Sequence, residues 1–133
     1  MYRASTENKG DSKHYATTKN HHFVMDTEGQ ASNPVDALLA SLCACLGHYV
    51  RDYLREKKHT YNAFTISASA EPTEDQKRLS DINVSIDLKD TQLDEHQRDE
   101  LLKYVERCKV YNTLKANSRI LITLAQFDPV AQR

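Results

Sequence analysis

The spacing of hydrophobic and polar positions changes several times along this chain, and the changes divide it into elements. Over residues 1–29 the pattern has a period of two. Tyr2, Ala4 and Thr6, then Tyr15 and Thr17, then Phe23 and Met25 alternate with polar or charged neighbours. Alternation of this kind turns one side of a strand inward. With turns at Lys9-Gly10-Asp11 and around Lys19-Asn20, it predicts three short antiparallel strands, partly facing solvent. Glu28 to Ser32 reads as a loop.

From Asn33 to Lys58 the period becomes helical. At about 100° per residue, Leu38, Leu42, Cys45, Tyr49 and Tyr53 fall on one stripe, and Leu39, Cys43, Leu46, Val50 and Leu54 on the next. Behind them lie Ala37, Ala40, Ser41, Ala44 and Gly47, small enough to let another backbone approach. Only His48 can ionise between Asp36 and Arg51, so this half of the helix is expected to be buried nearly all round. Asn33 suits the N-cap, Pro34 the first helical position, and Asp36 the positive end of the helix dipole. A bilayer needs about 20 apolar residues; this run is too short to span one.

Period two returns at residues 61–70, where Phe64, Ile66, Ala68 and Ala70 share a face, and at residues 79–88, where Ile82, Val84, Ile86 and Leu88 do. These two strands are expected to pair as a hairpin. Asp94 and Gln97 then stand in the capping-box arrangement, opening a second helix whose apolar stripe is Leu101, Leu102, Val105 and Cys108. A turn over residues 111–117 leads to a last strand over residues 118–127, and the tail beyond is expected to fray. The order predicts one α+β domain over residues 1–133, with helices against a mostly antiparallel sheet.

Composition narrows the partners. The net charge is −1 and Lys and Arg do not cluster, which argues against nucleic acid. With 3 glycines there is no phosphate-cradling loop, so no nucleotide cofactor is expected. The opening residues lack an apolar signal region and the 3 cysteines are odd in number, which predicts a cytoplasmic protein with reduced thiols and no membrane association. The central helix is apolar on more sides than one thin sheet covers, which predicts a second subunit.

The cysteines carry the candidate chemistry. Cys43 and Cys45 project about 200° apart on a helix, so they do not share a ligand, and no metal site is expected. A cysteine on an apolar helix face is commonly a small buried hydrophobe, and that reading stands beside a redox one. His48 is either a hydrogen-bonded core histidine or, at i+3 from Cys45, its base. His21 and His22 face opposite sides of a strand and read as a solvated pair. Tyr49 and Tyr53 read as subunit-interface packing with bonded hydroxyls, and the acidic run from Asp94 to Glu100 as a solvated helix start.

Two segments carry a family resemblance. Asn33-Pro34-Val35-Asp36-Ala37-Leu38-Leu39-Ala40-Ser41-Leu42, followed by Ala44-Cys45, resembles the central-helix signature of the OsmC/Ohr family of thiol-dependent hydroperoxide reductases. Cys108-Lys109-Val110-Tyr111-Asn112-Thr113-Leu114 is similar to that family's Cys-Pro-Val-x-x-Thr-Leu segment. The resemblance implies an intertwined homodimer with paired central helices, and a cofactor-free, antioxidant stress-response peroxidase for organic hydroperoxides that a dithiol reductant recycles. It assigns Cys45 as the attacking thiolate and Cys108 as the resolving cysteine, and leaves Cys43 to packing. A non-catalytic dimer that binds another small apolar molecule, its cysteines structural, is the alternative.

The attacking sulfur must be ionised, and a free thiol titrates near about 8.5, so a cation has to stand beside it. The family's peroxidases are expected to use an early arginine held by a glutamate after the Asn-Pro. Here Val35 takes the glutamate position, the acid is Asp36, and no arginine lies between Arg3 and Arg51. Lys13, Lys19, Arg3 and Arg51 are the candidate substitutes. Asp36 stands about 13 Å from Cys45 along one helix and would act only across an antiparallel dimer interface. Lys109 replaces the family proline and is expected to loosen the end of the second helix.

Overall fold

The computed structural model describes residues 1–125. Strands β1 (Ala4–Asn8), β2 (Lys13–Thr18) and β3 (His22–Asp26) form an antiparallel meander, with Thr6 opposite Ala16 and Tyr15 opposite Val24. Gly10, at φ 106°, makes the first turn. The Asn8 side chain bonds the backbone across it, at the carbonyls of Asp11 and Lys13. The long helix α1 runs Pro34–Glu56. Its cap is as expected: Asn33 Oδ1 accepts the Val35 amide at 2.8 Å. Lys58, at φ 59°, and the His59 amide bonding back to Leu54 O at 2.8 Å close its C-terminal end.

Strands β4 (Thr65–Pro72) and β5 (Leu79–Asp87) form the expected hairpin, with Ile66 opposite Ile86 and Ala70 opposite Ile82. Inward and outward faces follow the alternation, except that Val84 is exposed and residues 61–64 precede the strand. Helix α2 (Glu95–Tyr104) opens with both halves of the capping box, Asp94 Oδ1 to the Gln97 amide at 2.8 Å and Gln97 Oε1 to the Asp94 amide at 3.0 Å.

Several expectations change. The sheet is not one layer but two separate antiparallel sheets, β1–β2–β3 and β4–β5. The segment read as a turn is a third helix, α3 (Lys109–Lys115). The second helix does not reach Cys108: α2 gives way to a 3₁₀ turn at Val105–Arg107, and Cys108, at ψ 122°, is extended. One extended residue stops one helix and caps the next. Lys109 therefore occupies a first helical position, where proline would also be tolerated, and does not loosen a helix end. The last strand is absent as far as residue 125: residues 118–125 are irregular, with Ile120, Leu121, Ile122 and Leu124 exposed. Residues 126–127 of that expectation lie outside the described residues.

The core gathers Leu42, Leu46, Val50, Tyr53 and Leu54 of α1 with Leu101, Val105 and Cys108, and Ile66, Ile82 and Ile86 of the hairpin pack against it. Gly47 faces this hairpin; a Cβ there would meet Ile66 and Phe64 at 3.5 and 3.6 Å. Tyr53 belongs to the core of its own chain rather than to a subunit contact. Its hydroxyl donates to Gln97 O at 3.1 Å, with Glu100 Oε1 at 3.2 Å. The opposite flank of α1 is open. Val35, Leu38, Ala40, Ser41 and Ala44 are exposed within one chain, Leu38 by 41%. Burial nearly all round is therefore not reached by the chain's own packing; of the first sheet, β3 is the strand that touches α1.

Candidate functional site

Cys45 and Cys108 come together although they lie on different elements. Cys45 sits mid-way along α1 on the flank where the core ends, half-buried. Cys108 is fully buried at 0% exposure, set by its role as the cap of α3: its Sγ accepts the Tyr111 amide at 3.2 Å. Asn112 fixes the same corner, its side-chain amide donating to Glu106 O and Cys108 O. Burial pushes the Cys108 thiol above its ordinary range, and a hydrogen bond with Cys45 adds to the effect. The two thiols are thus neighbours, and burial favours the protonated form of Cys108.

All three cysteines are free thiols. Cys43 faces away, half-buried, its thiol also pushed up by burial. Cys45 by contrast lines a cavity of about 650 Å³, walled by Tyr2, Leu38, His48, Tyr49, Lys109 and Val110 and closed by Thr113 and Leu114. The walls are mainly hydrocarbon and aromatic. The accessible thiol is therefore Cys45, and the sulfur behind it is sealed.

Of the other candidates, His48 shares the cavity with Cys45, and its Nε2 lies 3.5 Å from Asp52 Oδ2, one helical turn on. The His48 ring also meets Tyr49 edge-on, with ring centroids 4.9 Å apart. Both side chains are part-exposed, so the pair is a surface contact. Asp36 and Arg51 are exposed on α1 and are not in the wall of this cavity. Lys13 is not in it either; Arg3 and Lys19 line a neighbouring hollow that shares Tyr2. Residue types and spacing had not singled out Lys109 or Asp52. Asp52 was visible as the i+4 partner of His48, and Lys109 as the residue next to Cys108. His21 and His22 are exposed, and among the described residues no group of three His, Cys, Asp or Glu side chains gathers as a metal site.

A family model described as OsmC-like protein matches residues 27–123, from the loop before α1 past the end of α3. The chain belongs to the OsmC-like family. Its fold is similar to the crystal structure of an OsmC-like protein from Mycoplasma pneumoniae, at TM-score 0.75 and 21% identity, covering 86% of this chain and 87% of that one. It is also similar to an organic hydroperoxide resistance protein OsmC from Legionella pneumophila, at TM-score 0.62 and 17% identity, covering 88% and 90%. A third likeness is to the organic hydroperoxide resistance protein OhrB of Bacillus subtilis, at TM-score 0.59 and 18% identity, covering 88% and 92%. At these identities the solved structures establish the OsmC fold. No curated protein sequence matches the chain. Among the described residues no helix is long and apolar enough to cross a membrane.

Proposed function

We propose that this OsmC-like chain is a dimeric, cytoplasmic thiol peroxidase that reduces organic hydroperoxides without a cofactor. One observation carries the reading. Cys45 opens onto an apolar cavity while a fully buried second cysteine, Cys108, stands beside it. The Legionella and Bacillus neighbours are named organic hydroperoxide resistance proteins, which agrees with it.

The chemistry follows from the two environments. The Cys45 thiolate attacks the distal oxygen of R–O–OH; the O–O bond breaks, the alkoxide takes a proton and leaves as an alcohol, and Cys45 becomes a sulfenic acid. His48, with Asp52 beside it, is the group in the cavity suited to move that proton. The Cys108 sulfur then displaces hydroxide from Cys45, which leaves as water and gives a Cys45–Cys108 disulfide. A dithiol reductant restores both thiols by exchange. An apolar cavity favours an alkyl or aryl hydroperoxide over hydrogen peroxide, whose two hydroxyls would lose their water there.

The test is consumption of cumene hydroperoxide with dithiothreitol as reductant. Cys45→Ser should abolish it, and Cys108→Ser, given peroxide with no added thiol, should consume one equivalent and leave Cys45 oxidised. Equal rates in the wild type and Cys45→Ser would end the proposal. A second reading, a non-catalytic dimer that binds a small apolar molecule, draws on the absence of any arginine from the cavity wall. Native thiol titration separates the two: one fast cysteine at neutral pH favours the peroxidase, three slow ones the binder.

A further inference from the structure

An apolar pocket is a poor place for an anionic sulfur unless a positive charge is built into its wall. The groups that face Cys45 can be counted by element. From α1 come His48, with Asp52 bound to it, and Tyr49; from the α3 corner come the Cys108 thiol and Lys109; from the N-terminal segment comes Tyr2. Among the described residues, Lys109 is the one permanent cation lining this cavity. His48 already has a carboxylate at 3.5 Å, which offsets its charge when protonated. None of the ion pairs among the described residues involves Lys109.

We infer that Lys109 supplies the positive charge that holds Cys45 as a thiolate, in place of an arginine brought from an early strand. Its position makes this possible. Lys109 directly follows Cys108, whose sulfur contacts Cys45, so its backbone is fixed beside the thiol pair by the cap of α3. Lys109 is exposed and lines the same cavity as Cys45, Val110 and Leu114, and a four-carbon stem is long enough to carry its ammonium toward the sulfur. Lys109 acts through Cys45 and takes no part in bond breaking, which makes it a positioning residue. The inference rests on the peroxidase reading for its purpose but not for its measurement.

That measurement is alkylation of the native full-length chain by iodoacetamide, with the rate at the Cys45 peptide followed by mass spectrometry from pH 5 to pH 9. Lys109→Gln should slow Cys45 alkylation at pH 7 by about tenfold and move the profile to higher pH, because one unit of thiol titration is a factor of ten in thiolate. Lys109→Arg should restore both. A purely structural role would alter both variants or neither, without moving the profile. If Lys109→Gln leaves the profile in place while the wild type consumes cumene hydroperoxide, the peroxidase stands and the charge comes from elsewhere, a partner's side chain included. If the profile moves and Arg restores it while no variant consumes peroxide, Lys109 holds the thiolate and the peroxidase assignment fails.

Discussion

The two flanks of α1 make opposite use of the same kind of sequence. On one flank Leu46, Val50, Tyr53 and Leu54 are covered by α2, the α3 corner and the β4–β5 hairpin, all from the same chain. On the other, Val35, Leu38, Ala40 and Ala44 stand open. Apolar side chains left open along one helix flank are the kind of surface at which a second copy would bind. The cavity with Cys45 lies along the line between the flanks. Its wall combines residues of the covered side, such as Tyr49 and Val110, with Leu38 of the open side and Tyr2 of the N-terminal segment. The thiol pair is thus held by the self-sufficient half, while its access depends on whatever closes the other half.

The largest effect should come from hollowing the covered flank. Leu54 has 0% exposure, so Leu54→Ala removes packed side chain that the surrounding helices and hairpin cannot collapse to replace. Such truncations cost about 2–5 kcal/mol, read as a fall in the urea midpoint at unchanged slope. An unfolding curve that stays in place would mean that this flank is not the stabilising half.

Leu38→Asp probes the open flank and should behave differently. Leu38 is 41% exposed in one chain, so a carboxylate there meets water and disturbs the chain's own core little. Against a second copy it would be desolvated without a partner. Light scattering should show the mass dropping from two chains to one, with the circular dichroism of the helices retained. If the wild type is itself a monomer at micromolar concentration, the open flank needs another explanation and the dimer is lost.

How far these differences could be read in advance depends on how local each signal is. Caps and periods are local, and Asn33, the Asp94–Gln97 box and, Val84 apart, the alternation in β4 and β5 reported faithfully. The inner stripe of α1 was equally legible, because a helix keeps its angular spacing whatever it packs against. What was not legible depended on neighbours. The sequence between Arg107 and Ala116 is short and mixed, and nothing local reveals that Cys108 becomes extended and caps α3. The residues 120–125 have a strand's composition, but in one chain no strand lies alongside to pair with them. The pairing of Cys45 with Cys108 came from resemblance and not from periodicity. Lys109 was singled out only as a departure from the family proline, and Asp52 not at all, because a lysine after a cysteine or an aspartate after a histidine gains a place in a site only once a cavity gathers them.

The smallest effect separates the halves by pH. The first sheet has little apolar packing of its own; its buried groups are Ala16 and one carboxylate, Asp26. That carboxylate accepts the Glu28 amide at 2.8 Å and the Gln30 amide at 3.2 Å, closing the loop into α1. The Glu28 amide most of all, then the Ser12 hydroxyl, hold Asp26 below the ordinary carboxylate range, with Lys13 adding to the effect. A depressed value in the folded state means that the group stabilises the fold above its unfolded value, near about 3.9, and that the contribution is lost as pH falls through the lower folded value. Acid should therefore loosen the β3–α1 corner while the apolar body still holds. Hydrogen exchange compared at pH 5 and pH 3, corrected for intrinsic rates, should show the amides of Glu28 and Gln30 losing protection before those of α2. In Asp26→Asn the side-chain oxygen remains but cannot gain or lose charge, so protection at that corner should start lower and change less between the two pH values. Equal loss at the corner and in α2 would mean that the two halves unfold as one unit and that the contrast between them lies in surface alone.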